Sequence, residues 1–280
     1  MARESRGVRG VAKYLFLVVL GLLLLTMLFP LVMIALTSLK TENEYYANGP
    51  MALPQSPNLD MLKYAWKSTD YPRLLRNSAI ISISTALLAV VLSLLNAFAL
   101  GIGKVRGRSL VLLFFMLAMT LPGEALVYPL YYFFKLIKLY DNLLAVILIS
   151  SALSASFGTY LLTSVFGSFD REIIEAAMMD GCNKVQVLFR IVAPLSLPSL
   201  SVLFVFFFIG TWNDFFLPLI LLISSRNYTV PVAMALARAE RNVVVTIQSA
   251  AALLGILPCI LFFILFQRTL TKGITAGSLK

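Results

Sequence analysis

The sequence contains no histidine and only two cysteines, Cys182 and Cys259. Without histidine there can be no imidazole acid–base catalysis, no histidine metal ligand and no Ser-His-Asp triad. Two cysteines are too few for a tetrahedral zinc site. One lies in a polar segment and the other in the last apolar run, which argues against a disulfide. We predict that both cysteines are structural and that the chain holds no metal or cofactor of its own.

The phosphate-binding loop G-x-x-x-x-G-K-[S/T] is also missing from the sequence. The nearest match is GIGKV at residues 101–105, where the glycine spacing is wrong and valine follows Lys104. We therefore expect that the chain is not an enzyme and does not hydrolyse ATP itself. A membrane-embedded hydrolase is the least favoured alternative, because no nucleophile is visibly paired with a base.

Apolar residues, in contrast, are abundant. They make up 60% of the 280 residues, and the mean hydropathy is +0.90. A water-soluble domain of this size could not bury so much apolar surface. Long uncharged runs predict an all-α polytopic membrane protein with six transmembrane helices in a single domain, residues 1–280. The runs cover residues 14–39, 77–103, a third stretch from about 109, 142–169, about 197–223 and 242–267, so that the core spans occupy about 77–267.

The distribution of charge predicts the orientation of these spans. Three basic residues stand within the five residues of KVRGR at 104–108, a short loop of the kind that stays in the cytoplasm. The run at 14–39 is too long for a signal peptide and no cleavage site follows, so we interpret it as an uncleaved first span. Six spans then place both termini in the cytoplasm. The net charge of +10 indicates loops that face anionic lipid rather than nucleic acid.

The most distinctive segment is EAAMMDGCNKVQVLFRIVAPLSLP, residues 175–198. Its first residues favour a helix, and Gly181 can end that helix in the left-handed conformation without steric cost. Apolar residues at helical spacing follow, until Pro194 and Pro198 interrupt the pattern. The pattern predicts a short helix, a tight elbow and a second helix on the membrane surface. An ordinary loop between spans is the alternative.

This segment resembles the EAA loop of ATP-binding-cassette importer permeases. The resemblance is carried by Glu-Ala-Ala, by Asp180-Gly181, and by Pro194 at its usual distance. Ala193 is a mild departure, since the family often has leucine there. Two further stretches, TWNDFFLPLI at 211–220 and QRTLTKGITAGSLK at 267–280, resemble the carbohydrate branch. The chain is most similar to the smaller permease subunit of the maltose-type importers.

The resemblance implies partners and a coupling site. It implies a homologous permease subunit, an ATPase homodimer that binds ATP and Mg²⁺, and an extracytoplasmic sugar-binding protein, all at a bacterial or archaeal cytoplasmic membrane. In the family, the EAA loop, here about 170–198, lies in a cleft of the ATPase. The implied coupling residues are Glu175, Ala176, Ala177, Asp180, Gly181 and Pro194. The tail at 268–280 is expected to contact the ATPase through Arg268, Lys272 and Gly277, and its glycines, Gly273 and Gly277, are expected to keep it flexible.

Two carboxylates, Glu124 and Asp214, fall within the apolar runs. Intramembrane carboxylates are costly in lipid and usually face a bundle interior or water. If spans three and five were continuous helices, both would lie about 22–26 Å into the membrane. With Trp212 and Asn213 they are candidates for a carbohydrate path. Two alternatives stay open: a structural role between helices, and a stand-alone proton- or ion-coupled transporter that uses the same two carboxylates.

Overall fold

The computed structural model describes residues 4–103, 105–239 and 244–277, and every regular element in those ranges is helical. Leu121 has an extended backbone, as expected for the residue before Pro122. This conformation ends the helix Arg108–Thr120, which the apolar pattern alone would continue. The α-helices are α1 Glu4–Ser38, α2 Glu42–Asn48, α3 Asp60–Ser68, α4 Tyr71–Gly101, α5 Arg108–Thr120, α6 Val127–Leu136, α7 Leu143–Gly167, α8 Arg171–Met179, α9 Lys184–Val187, α10 Ala193–Leu195, α11 Leu197–Asn213, α12 Phe216–Leu221, α13 Val230–Ala239 and α14 Val245–Gly277. Two 3₁₀ turns, Gly123–Leu126 and Ser225–Asn227, and a π-helical turn, Leu188–Val192, complete the set.

Within the described residues, four helices are long and apolar enough to cross a membrane, or five crossings if a bent pair counts as one span. The four are Lys13–Ser38 of α1, α4, α7 and Val245–Gln267 of α14. The expected six continuous spans are therefore not confirmed. The third apolar run is divided into α5 and α6 by the 3₁₀ turn, and the fifth is divided into α11 and α12.

The chain groups into two compact units, Met1–Asp70 with Leu236–Leu257 and Tyr71–Ala235 with Pro258–Lys280. In the first unit, Lys40 is fully buried after the end of α1. Its Nζ donates to the carbonyl oxygens of Gly49 and Pro50, each at 3.0 Å. These hydrogen bonds offset the cost of burying the charged ammonium group. They also hold the loop after α2 against the end of the first long helix.

In the second unit, α4, α7 and α11 form the core. Small residues on α4 are fully buried, among them Ala86, Ala89 and Ala97. A side chain at Gly158 of α7 would collide with Ser93 of α4, so the glycine permits a close helix approach. Small residues at such contacts are typical of packing between membrane helices, where backbones must come close.

Asp141 links two loops at one end of the second unit. Its carboxylate accepts hydrogen bonds from the backbone N–H groups of Ile223 and Ser224, each at 3.0 Å, and from the Ser224 hydroxyl. Asn227 Nδ2 donates to the same carboxylate at 3.1 Å. Burial tends to raise the pKa of Asp141, but these hydrogen bonds outweigh it and lower the pKa to about 2. The carboxylate therefore holds the α6–α7 loop against the loop after α12.

The end of the chain differs from the expectation of a flexible tail. The backbone of α14 is helical through Gly273 and as far as Gly277. A glycine costs a helix only about 1 kcal/mol, so two of them do not by themselves end a helix of this length. The side chains of Arg268 and Lys272, and residues 278–280, lie outside the described part of the chain, and the predicted contact of the tail with an ATPase stays a prediction.

Candidate coupling segment and substrate groove

The elbow after α8 has the geometry that the sequence predicted. Gly181 has a φ of +85°, which confirms the expected left-handed conformation. The N–H of Cys182 donates to the Ala177 carbonyl at 3.0 Å, and that of Gly181 donates to the Met178 carbonyl at 3.1 Å. This pair of bonds is a Schellman motif, and it satisfies carbonyl groups that the end of a helix would otherwise leave unpaired.

The next helix begins with a capping box that the sequence reading missed. Asn183 Oδ1 accepts from the Gln186 N–H at 2.9 Å, and the Gln186 side chain accepts from the Asn183 N–H at 2.8 Å. The signature is a capping residue followed three positions later by glutamine, here Asn183 and Gln186. Only two residues separate the C-cap of α8, Asp180, from the N-cap of α9, Asn183. The elbow therefore has a defined shape.

A second bend lies between the elbow and α11. The helical segment Lys184–Leu195 meets Leu197–Asn213 at 76°. Pro194 has no N–H for the carbonyl four residues before it, and the turn immediately before α10 is π-helical, with the Ala193 N–H donating to the Leu188 carbonyl. Pro198 then occupies the first turn of α11, where its missing N–H costs nothing. The chain therefore passes from α9 into the apolar helix through a fixed angle.

The predicted coupling residues divide between two faces of α8. Glu175, Ala176 and Asp180 are exposed, as is Pro194 further along. Ala177 is instead buried with Ile174 in the core of this same unit. Of the two alanines, only Ala176 is therefore exposed, and the role of Ala177 in coupling stays a prediction. The period of 3.6 residues places positions 174 and 177 on one face and 176 off it.

A groove of about 380 Å³ opens between α7 and the junction of α11 with α12. Its lining combines hydroxyl and amide groups, one carboxylate and aromatic rings. The lining residues are Ser150, Leu153, Ser154, Phe157, Phe206, Phe207, Gly210, Thr211, Asn213, Asp214 and Leu217. The serines are four residues apart on α7 and share one helix face, a pattern that the sequence displays and that our reading did not use.

Asp214 occupies the break between α11 and α12. One of its carboxylate oxygens accepts the Phe216 N–H at 3.0 Å, which caps the start of α12. Across the groove, the Ser150 hydroxyl is buried and has no hydrogen-bond partner. A buried hydroxyl without a partner is costly, and a ligand or water in the groove would relieve that cost.

The other path candidates lie elsewhere or are partly undescribed. Trp212 is buried and stacks on Phe208 with ring centroids 5.7 Å apart, and it does not line the groove. Glu124 lies in the 3₁₀ turn Gly123–Leu126, which packs against α12, but its side chain is outside the described part. The assumption of continuous helices behind the 22–26 Å depth is wrong for Glu124, because the helix breaks before it, and for Asp214, because α11 ends there.

Comparison with known proteins identifies the family of this chain. Residues 97–275 match the family described as the inner membrane component of binding-protein-dependent transport systems. The match covers well over half of the chain and includes both the elbow and the groove. The chain belongs to this family. Members of this permease family are membrane subunits of ATP-binding-cassette transporters, so the chain is a multi-pass inner-membrane transport subunit and not the ATPase.

Two relatives extend the match over nearly the whole chain. The chain is 32% identical to the inner membrane ABC transporter permease protein YcjP of Escherichia coli (strain K12), over 93% of this chain and 94% of that protein. It is 31% identical to the sulfoquinovosyl glycerol transport system permease protein SmoH of Agrobacterium fabrum, over 96% of this chain and 94% of that protein. Both alignments cover far more of the chain than the family match does.

A solved structure shows the same fold. The chain superposes on a chain of a bacterial ABC transporter involved in the import of the acidic polysaccharide alginate with a TM-score of 0.83. The superposition covers 92% of this chain and 96% of that chain at 20% sequence identity. The breaks within the third and fifth apolar runs therefore belong to a fold that this permease shares with an importer.

Proposed function

We propose that this chain forms one half of the translocation path of an importer for a neutral carbohydrate and that α8 couples the path to a separate ATPase. The observation that carries the proposal is the direct connection between the two sites. From the elbow at Gly181, the chain runs through the 76° bend into α11, and α11 ends at Asp214 in the groove. A displacement of α8 would therefore reach the groove through one helix of 17 residues, about 25 Å long.

The lining of the groove supports a sugar as the substrate. Hydroxyl, amide and carboxylate groups can bond sugar hydroxyls, while Phe157 and Phe206, which stack with centroids 5.3 Å apart, offer an apolar face to sugar C–H groups. The path relies on the partner permease for its other side. Trp212 has no place in this proposal, because its ring is buried against Phe208.

The charge of the groove favours a neutral sugar over an acidic one. Asp214 is its one charged residue among the described lining positions, and a carboxylate repels a uronate or sulfonate. This differs from the substrates in the names of the relative SmoH and of the alginate importer. Uptake of a labelled neutral oligosaccharide should therefore resist competition by an acidic one of equal length, and equal competition would contradict this part of the proposal.

The assembly that follows has four kinds of component. A homologous permease completes the membrane path, an ATPase homodimer supplies ATP and Mg²⁺ binding, and an extracytoplasmic binding protein delivers the sugar. Both termini and α8 face the cytoplasm, where α8 meets the ATPase. The exposure of Glu175, Ala176 and Asp180 supports α8 as the contact.

Reconstitution of the complex in liposomes tests the function. Uptake of sugar from its binding protein should require ATP and the ATPase chains. Uptake that continues without ATP and follows an imposed proton gradient would contradict the proposal and favour an ion-coupled transporter that uses Asp214 and Glu124.

A further inference from the structure

A second cavity, also of about 380 Å³, lies beside the coupling helix α8. It is bounded by the end of α4, the start of α5, the end of α7, and α8 with the first residue of α9. Among the described residues, three cations line it, Arg108, Arg171 and Lys184, against a single carboxylate, Glu175. We propose that this cavity binds the phosphate headgroup of an anionic phospholipid and so ties α8 to the ends of α4 and α7.

The charges of the cavity are not compensated by the protein. In the described part of the chain, none of Arg108, Arg171 and Lys184 forms an ion pair with a carboxylate. Arg108 is half-buried, with its guanidinium packed near Gly167, where a Cβ would lie 3.8 Å from Nη2. A partly desolvated guanidinium without a carboxylate partner favours a bound anion, and its planar fork fits a phosphate group.

The position of the cavity identifies a lipid as the source of the phosphate. Two apolar helices of membrane-spanning length, α4 and α7, end at its rim, at Gly101 and Gly167. Helix ends of this kind lie at the level of the lipid headgroups. Phe98 and Phe169 give the cavity an apolar wall beside its cations. Basic pockets between membrane helices at the cytoplasmic surface are typical binding sites for anionic headgroups.

Counting of bound lipid tests the proposal independently of transport. The assembled complex is purified in detergent with a fixed mixture of phosphatidylglycerol and phosphatidylcholine, and retained lipid is measured by native mass spectrometry. Each basic side chain near an anionic headgroup contributes about fivefold in affinity, so the double variant R108Q/R171Q should bind phosphatidylglycerol about 25-fold more weakly. Arg190 has the same charge on the same segment but does not line the cavity, so Arg190→Gln should bind as the parent does.

Two further measurements separate the alternatives. Arg108→Lys retains the charge and should keep phosphatidylglycerol affinity within about twofold of the parent, a smaller loss than the roughly fivefold expected when one charge is removed. The parent in phosphatidylcholine alone is then given radiolabelled inorganic phosphate. Phosphate bound there, and lost in the double variant, would assign the cavity to a soluble anion and overturn the lipid source. The cavity would not be the binding site if Arg190→Gln lost as much phosphatidylglycerol as R108Q/R171Q does. The same would hold if the double variant retained the parental amount.

Discussion

The break at Gly181 and the break at Asp214 interrupt the helical pattern in opposite ways. At Gly181, a Schellman motif ends α8 and a capping box starts α9, so the polar groups of the elbow bond one another. At Asp214, one carboxylate oxygen caps α12, but the hydroxyl of Ser150 across the groove has no partner. The polar groups of the first break bond one another, whereas the groove beside the second contains a buried hydroxyl without a partner.

This difference suggests two uses of a helix break within one chain. A self-capped elbow can transmit force, because its shape does not depend on a ligand. A groove that leaves polar groups unsatisfied binds a ligand, because the ligand relieves the cost of their burial. The α11 helix joins the two breaks, and variants at each should therefore fail in different ways.

The largest expected effect comes from Gly181→Val. The left-handed φ of +85° makes a β-branched side chain strained by about 1–2 kcal/mol, and no atom lies within 4 Å of the added Cβ, so steric collision adds nothing. Such a cost should not unfold the protein, but it should change the angle at which α8 leaves the elbow. We expect near-normal protein level and permease pairing, weak co-purification of the ATPase, and loss of most uptake.

Gly49 provides a matched control for the elbow. It has a φ of +78° with no atom within 4 Å, and it lies in the other unit after α2. Gly49→Val also introduces backbone strain at a positive φ, in a different region with ψ of 173°, and should leave uptake close to the parental rate. Equal loss of uptake in both variants would mean that backbone strain in general, and not the shape of the elbow, limits transport.

Asp214→Asn should reduce uptake about tenfold while the complex assembles and retains its ATPase. Asparagine keeps the oxygen that accepts the Phe216 N–H, so the cap of α12 survives. It loses the charge, and a hydrogen bond to a charged group is worth about 1.5–3 kcal/mol, which corresponds to tenfold or more in rate. Initial uptake rates and co-purification, measured together, check this. Parental uptake would make Asp214 a capping residue alone.

Glu124→Gln extends the same test to the other break. The 3₁₀ turn that contains Glu124 packs against α12, so the two breaks are neighbours. If both carboxylates serve the path, each single variant should reduce uptake more than it reduces assembly, and the double variant should lose less than the product of the two effects because neighbouring sites couple. A strictly multiplicative loss would separate Glu124 from the groove.

Asp141 differs from both helix breaks, because its charged side chain joins two loops through hydrogen bonds. Its folded pKa of about 2 lies below the ordinary value of 3.8, so its stabilising contribution is complete above about pH 4 and is lost as the pH falls towards 2. Asp141→Asn should lower the midpoint of thermal unfolding at pH 7 by about 2–4 °C, the shift expected for about 1 kcal/mol.

Unfolding measured against pH checks the sign of this effect. The difference between parent and Asp141→Asn should be constant from pH 7 to about pH 5 and should shrink between pH 4 and pH 2. Asp60, an exposed carboxylate at the start of α3, supplies the control Asp60→Asn, which should be near neutral. A difference that grows with acidity would show that the carboxylate does not act as an ionised acceptor.

The sequence was sufficient for the elbow but not for the groove. Gly181 follows a helical pattern and precedes a second one, and only glycine adopts its φ without strain, so its conformation could be inferred locally. Proline and apolar periodicity likewise predicted that the helical pattern is interrupted before α11, but not the angle of the bend. The groove could not be predicted, because it depends on which face of α7 meets α11, and that is decided by tertiary packing around small residues such as Gly158.

The breaks within the apolar runs show why hydropathy predicted more regular spans than the structure has. Hydropathy averages over about 19 residues, and it does not detect a turn at Pro122 or at Asp214. The missed capping box at Asn183 and Gln186 was visible, since it is a local pattern. Glu-Ala-Ala could not be divided into exposed and buried positions from the motif alone, because consecutive helical residues are 100° apart and packing decides which face is buried.

The smallest expected effect, at Glu175, separates the coupling role of α8 from the lipid cavity. Glu175→Ala removes a carboxylate from an exposed helical position without strain, so ATPase co-purification and uptake should fall only about two- to threefold, by loss of one exposed polar contact of under 1 kcal/mol. Glu172, one turn earlier on α8, is also exposed but does not line the cavity, and Glu172→Ala is the matched control.

Because Glu175 opposes an anion in the cavity, Glu175→Ala should also retain more phosphatidylglycerol than Glu172→Ala does. Weaker coupling with greater lipid retention would place Glu175 between the two sites, whereas a parallel fall in both would mean that the variant merely loosens α8.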